Sequence, residues 1–272
     1  MPLPSSGAIS LNQIHVEAGG SSGSQASLND ADIRGMLGKG STAQNSFNEY
    51  YGISAAAPIA TYKGFIRTTS DGFPQGSVSL SSGTKVVVVC LCMPGYQNTY
   101  CNLGNSSMTL AASNAQNGMS AVYYLATSAS GSTLISGNGG SGRSVGYIWE
   151  ITGYNSSTPT ATAAVKSANN TSGFSKTISV ACQYNGVTIG AGVCEDTTPA
   201  TGTVNPLTGS GVTVSNSDQL AQQDLELATN HYAWKDENTP SGTRSYTANQ
   251  ASPANNASPY GTFHALAVAH WK

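Results

Sequence analysis

Charge is what this chain has least of. Lys, Arg, Asp and Glu make up 9% of its 272 residues, against about 25% in an ordinary soluble domain. The net charge is -2 and the 11 basic residues form no run, so the chain carries no field to gather nucleic acid or an acidic membrane surface. No stretch approaches the roughly 20 apolar residues of a membrane span. The opening MPLPSSGAIS has neither the basic nor the apolar segment of a signal peptide. Cysteine is also sparse. The five, Cys90, Cys92, Cys101, Cys182 and Cys194, are odd in number and include no CxxC pair, which speaks against a disulfide framework and against structural zinc. Cys90 and Cys92 fall two apart in a strand-like run, share a face and read as small buried hydrophobes.

Hydroxyls, amides and glycine take the place of charge, and a hydrophobic fraction of 39% is enough for a folded core. One small phrase occurs three times near the N-terminus: Ser10-Leu11-Asn12-Gln13, Ser27-Leu28-Asn29-Asp30 and Ser46-Phe47-Asn48-Glu49. Ser with Gln, Asp or Glu three residues on is the signature of a capping box, so each copy predicts a helix start. Glycines follow each copy and predict the stops. Helices of one to three turns are marginal alone and must dock on something. Residues 1–52 are accordingly read as an anchor whose apolar groups, Ile9, Leu11, Ile14, Leu28, Ile33, Phe47, Tyr50 and Tyr51, meet a partner; the alternative is a small cap on the chain's own core.

Residues 53–61, ISAAAPIAT, read as a hinge. Beyond it, short runs rich in β-branched and aromatic residues alternate with Gly, Asn, Ser and Pro clusters. The pattern over 62–272 predicts a mainly β fold, an antiparallel sandwich or jelly roll. The run Val86 to Val89 predicts a central strand buried on both faces. Asp218 to Thr229, DQLAQQDLELAT, has good helix formers and is read as a short helix at a sheet edge. The last strand pattern, FHALAVAHW, has no coiled coil or collagen-like shaft after it, which argues against a long fibre.

No motif marks catalysis. There is no GxSxG elbow, and the four His, 15, 231, 264 and 270, have no zinc-protease spacing. Glu195-Asp196 and Asp236-Glu237 are the carboxylate pairs that a glycosidase would need, placed near strand ends, but solvated turn residues are commoner there. Neither pair sits in a calcium loop. Gly137 to Arg143 lacks the Lys-Ser/Thr of a phosphate loop and reads as a hairpin tip. No cofactor, metal or catalytic residue is assigned. For sugar contact, aromatic faces flanked by amides are the natural surface, and Tyr96, Gln97, Asn98, Tyr100 and Asn102 form the best such cluster.

The opening ISLNQI, the later SLNDADIRG and the SFNEYYG before the hinge resemble an N-terminal segment of structural proteins of tailed bacteriophages, often those of marine or alphaproteobacterial hosts. KVVVVCLC followed by MTLAAS, then STLISGNGGSGRSVGYIWEITGY, KTISVACQYNGVTIGAGVC and FHALAVAHW, is similar to an all-β domain of such proteins. The resemblance implies a non-enzymatic virion component of the tail or baseplate, assembled in the host bacterial cytoplasm. It also implies other virion proteins as partners and a homo-oligomer, with a trimer favoured. A host-surface glycan is a further expected partner. A capsid decoration protein is the alternative, and a lectin or glycan-cleaving enzyme a more distant one.

Overall fold

Whether a strand is buried on one face or on both depends on how many layers the sheets form. The computed structural model describes residues 3–272 apart from 19, 38, 40–41, 54–56, 69–71, 94–99, 115–118, 139–143, 167–173, 184, 197–207, 210–211, 214–219, 225–227, 240–241 and 251–262. Two short helices, α1 (Leu11–Glu17) and α2 (Ala31–Met36), and a 3-10 turn, Phe47–Tyr50, precede the strands. In chain order these are β1 (Ile59–Arg67), β2 (Gly76–Leu80), β3 (Lys85–Met93), β4 (Cys101–Leu103), β5 (Ser106–Ser107), β6 (Thr109–Ser113), β7 (Met119–Thr127), β8 (Gly131–Gly137) and β9 (Val145–Thr152). They continue as β10 (Ala161–Lys166), β11 (Phe174–Cys182), β12 (Gly186–Asp196), β13 (Thr208–Gly209), β14 (Val212–Thr213), β15 (Leu220–Asp224), β16 (Ala228–Thr239), β17 (Gly242–Gln250) and β18 (Phe263–Trp271).

The mainly β, antiparallel expectation holds, but the β region is not one sandwich. Four sheets form, in the orders β2-β8-β4-β5, β1-β9-β3-β7-β6, β10-β18-β12-β16-β15 and β11-β17-β13-β14. Adding nine to each strand number of the first two orders gives the last two. The chain therefore repeats one nine-stranded sandwich, first over β1 to β9 and again over β10 to β18.

The sheets stack in four layers. Val87, Val89, Leu91 and Ile148 pack with Val78, Leu80, Leu103 and Ile135 in the first sandwich. Trp234, Leu266 and Val268 pack with Ile178, Val180 and Tyr246 in the second. Between them Val86, Val88, Cys90 and Cys92 of β3 share a core with Val187, Ile189, Ala191 and Val193 of β12. Single domains are built from two or three layers around one core, so four layers with three cores mark two domains joined back to back.

This explains the strand patterns. β3, centred in an inner sheet, is buried at all nine positions, as the Val run predicts. Outer strands alternate: Val78 and Leu80 are buried while Ser77 and Ser79 are exposed. On the equivalent outer face of the second copy, Ser179 bonds Ser245 at 2.8 Å and Thr177 bonds Thr247 at 2.7 Å.

Four readings need correction. The segment read as a helix at 218–229 forms β15 and the start of β16 in its described part; β15 does lie at a sheet edge, because cross-strand pairing outweighs the modest helix propensity of its residues. β1 begins at Ile59, inside the expected hinge. Of Gly137 to Arg143, read as a hairpin tip, residues 139–143 lie outside the described residues, but the flanking strands β8 and β9 belong to different sheets and are not paired as a hairpin. The apolar groups of the short N-terminal helices, read as a face offered to a partner, largely share a core of their own.

Equivalent positions compensate in size. In the first copy Val89 pairs with Tyr123; in the second, Gly190 pairs with Trp234. A Cβ on Gly190 would lie 2.2 Å from the Trp234 ring, so the larger ring requires the glycine. A polar latch also recurs. At the end of β2 the Ser81 amide donates to Glu150 Oε1 at 2.7 Å. At the end of β11 the Gln183 amide donates to His270 Nε2 at 2.9 Å. Glu150 and His270 hold equivalent places on β9 and β18, beside Ile151 and Trp271. Because Nε2 accepts, the ring proton sits on Nδ1, 2.9 Å from Thr188 Oγ1. Burial, with Lys272 nearby, depresses the His270 pKa to about 4. Burial would raise the Glu150 pKa, but the Ser81 bonds and Lys63 outweigh it and hold the carboxyl below its usual value.

Two outcomes are expected. His270 binds its proton more weakly folded than unfolded, so its contribution is complete above pH 6.5 and is lost as the pH falls to about 4. Chemical denaturation should show a decline of up to about 3 kcal/mol across that window, absent in His270→Gln. Gly190→Val should cost about 1–3 kcal/mol by overpacking. Adding Trp234→Tyr, which recreates the Val and Tyr pair of the first copy, should recover most of it, a coupling readable as non-additivity.

Candidate functional site

The recurring N-terminal phrase does one thing three times. The Ser amide donates to the polar side chain three residues on: Ser10 to Gln13 Oε1 at 2.7 Å, Ser27 to Asp30 Oδ2 at 2.8 Å, and Ser46 to Glu49 Oε2 at 2.7 Å. In the first copy the Gln13 amide returns the bond to Ser10 Oγ at 3.2 Å. The first copy opens α1 and the third the 3-10 turn, as expected. In the second, residues 27–30 make a turn and the helix starts only at Ala31, with Asp30 as its N-cap.

Six of the expected docking residues are brought together, but facing one another. Ile14, Ile33 and Tyr50 are fully buried, and Ile9, Leu11 and Leu28 pack on them. The Tyr51 hydroxyl donates to the Gly7 carbonyl at 2.5 Å. Asn45 Nδ2 donates to the Leu28 carbonyl and to Tyr50 Oη, and buried Arg34 donates to Asn29 Oδ1 at 3.0 Å and to the Ala43 carbonyl. Entry and exit of the segment are tied together by Leu3 N–H to the Ile53 carbonyl at 2.8 Å and Gly52 N–H to the Pro4 carbonyl at 3.0 Å. The result is a closed miniature core. Val16 and Phe47, 44% and 38% exposed, are the large apolar groups that face outward among its described residues.

Of the expected sugar-contact cluster, Tyr96, Gln97 and Asn98 lie outside the described residues. Tyr100 is exposed, and Asn102 sits on β4 between Ser107 and Ser136. The Asn102 Oδ1 is buried with no hydrogen-bond partner. The carboxylate pairs occur within strands, not loops. Asp236 accepts from Arg244 Nε at 3.2 Å and Tyr246 Oη at 2.8 Å. Glu237 accepts from the Ala60 amide at 2.8 Å and pairs with Lys235 at 3.1 Å, joining the second copy to the edge strand of the first. Neighbours on a strand point to opposite faces, so these two carboxylates serve different contacts. No group of His, Cys, Asp and Glu suited to a metal occurs among the described residues, and no helix among them is long and apolar enough to cross a membrane.

Sequence reasoning missed one cluster. Tyr62 lies opposite Trp149, and Phe65 opposite Tyr147, across β1 and β9. Ring centroids are 5.4 Å apart for Tyr62 and Trp149 and 6.3 Å for Tyr147 and Trp149. Trp149 and Tyr147 are each 2% exposed, whereas Phe65 is 50% and Tyr62 36% exposed. The Tyr147 hydroxyl is buried without a hydrogen-bond partner, and burial pushes the Tyr62 pKa up to about 12. In the second copy the corresponding positions, by register with β18, are Thr162, Ala164, Ala267 and Ala269. No family model, curated protein or solved structure matches the chain.

Four of the five cysteines behave as buried hydrophobes. Cys90, Cys92, Cys101 and Cys182 are buried and form no disulfide, and burial raises the Cys101 thiol to about 12 and the Cys90 thiol well above its usual value. These four should be inert to a thiol reagent in the native protein and react fully once it is denatured, with little change in melting temperature on adding reductant.

Proposed function

We propose that the chain is a non-enzymatic structural protein of a bacteriophage tail or baseplate, anchored through its N-terminal module and carrying the paired sandwiches as its body. The observation that supports this reading is the separation of the two parts. The module of residues 3–53 closes on its own core, while the sandwiches hold theirs without it. A self-contained module joined by a short segment to a larger body is the arrangement of an adaptor, in which one end assembles and the other is displayed. The near-neutral, hydroxyl-rich composition suits display on a particle surface. Other virion proteins are the partners, and a homo-oligomer, with a trimer favoured, supplies the valence that makes weak surface contacts effective.

The test separates anchor from body. A chain beginning at Ala57 should keep its β circular dichroism and its melting temperature, yet fail to join particles that incorporate the full-length protein. Normal incorporation of the truncated chain would remove the anchor role from the module. Unfolding of the truncated chain would show that the module completes the sandwiches.

A further inference from the structure

A strand at the edge of a sheet leaves one row of N–H and C=O groups unpaired, and native sheets blunt such edges with short strands, bulges, charges or covering side chains. Most edges of this molecule are blunted. β2 and β15 are five residues long, and β5 and β14 two. β6 carries a register shift between Leu110 and Ala112. β1 carries one between Tyr62 and Gly64, and its Ala60 amide and carbonyl are taken by Glu237 and Lys235. On β10 the Val165 carbonyl accepts from Asn114 Nδ2 at 2.9 Å. β11 differs from all of these. It runs nine residues against the five of its counterpart β2, pairs with β17 in unbroken register from Phe174 to Cys182, and has one charged residue, Lys176. Among the described residues no strand pairs with its outer edge.

We propose that β11 pairs with β11 of a second chain, antiparallel about a two-fold axis at Ile178, joining two outer sheets into one. The strand is its own complement. Such a pair sets each Thr177 opposite the other chain's Ser179. Both are exposed on the outer face, where β11 and β17 already match hydroxyl to hydroxyl, Thr177 with Thr247 at 2.7 Å and Ser179 with Ser245 at 2.8 Å. The joined sheet continues those rows across four strands, and cross-strand pairs of this kind stabilise a sheet. Ile178 and Val180 face the other way, each 3% exposed, in the core with Trp234, Leu266 and Val268. The axis brings the two Ile178 side by side there and extends the apolar row. Lys176 falls opposite Val180, so the two ammonium groups stand about 13 Å apart along the strands and do not oppose each other. A slip of one residue would set hydroxyls against the apolar face. The contact is two-fold, hence isologous, and separate from the three-fold contact proposed for the assembled particle.

One strand pair is small beside the interfaces of tight complexes, so the pairing is weak and is read by sedimentation of the purified full-length chain from about 10 μM to 1 mM. Dimer should accumulate across that range. Thr177→Lys/Ser179→Lys, which sets Lys against Lys twice at the axis, should weaken it about tenfold or more with circular dichroism and melting temperature unchanged. Thr177→Lys/Ser179→Glu sets Lys against Glu at the same two places and should dimerise at least as well as the parent. Hydrogen exchange on the unsubstituted chain gives a reading that needs no variant: amides of residues 174–182 should gain protection in step with the dimer fraction. The proposal is overturned by a parent chain that stays monomeric, by a doubly Lys-substituted chain that dimerises as the parent does, by a Lys and Glu variant as weak as the doubly Lys-substituted one, or by β11 exchange that is independent of concentration. None of these results bears on whether the N-terminal module anchors the chain, which the truncation at Ala57 reads.

Discussion

The fold depends on one apolar face, used twice. Each sandwich copy turns the same side of its inner sheet toward the other, so that Val86, Val88, Cys90 and Cys92 meet a core that also contains Val187, Ile189, Ala191 and Val193. Like face meets like face, as in an isologous dimer, which places the copies about an approximate two-fold relation and not a translational one. Burial of both faces of an inner sheet removes water from β3 and from residues 265–271 of β18, which is why these stretches are mostly apolar on both sides while the outer strands alternate. The burial of two thiols follows from the same cause, since Cys90 and Cys92 lie in the shared core where solvent does not reach them.

Within each copy, backbone roles persist while side chains change. Gly83 and Asn185 both take positive φ, 89° and 52°, in the link from β2 to β3 and from β11 to β12, a conformation that glycine and asparagine tolerate best. Gly131 and Gly242 do the same at the start of β8 and β17. The amide that follows β2 or β11 needs a buried acceptor, and either a carboxylate or an imidazole serves. The position is conserved by its hydrogen bond, not by its residue.

This also decides what was readable in the sequence. Capping boxes are local, one side chain answering one amide three residues away, and the first and third were legible; at the second, Ser27 closes a turn and the helix starts only at Ala31. Strand alternation and the Val run were legible for the same reason. The repeat was hidden because partners changed size together: Val89 with Tyr123 became Gly190 with Trp234, and Gly76 with Ile135 became Ile178 with Tyr246. Neither half of such an exchange looks like its counterpart. The aromatic cluster was hidden by a bulge. Tyr62 and Phe65, three apart, would face opposite sides of a regular strand, but the register shifts between Tyr62 and Gly64 and returns both to one side. The docking residues were identified as an apolar set, but sequence gave no way to tell a face offered to a partner from one closed on itself.

A dimer of identical chains could not make the interface found here. Where the alanines of β10 and β18 stand, β6 and β7 of the first copy approach closely and Tyr124 meets Trp271 with ring centroids 6.2 Å apart. On the opposite side, the rings of β1 and β9 occupy the places of those alanines, and contact passes instead through the charged clamp of Lys235 and Glu237 on Ala60. In a true homodimer both sides would carry the same residues, so both would close or both would stay apart. Joining the copies in one chain frees the two sides to diverge. One side was then packed with small residues for cohesion, and the other kept large ones, part exposed, where a closed interface would have left no room for them.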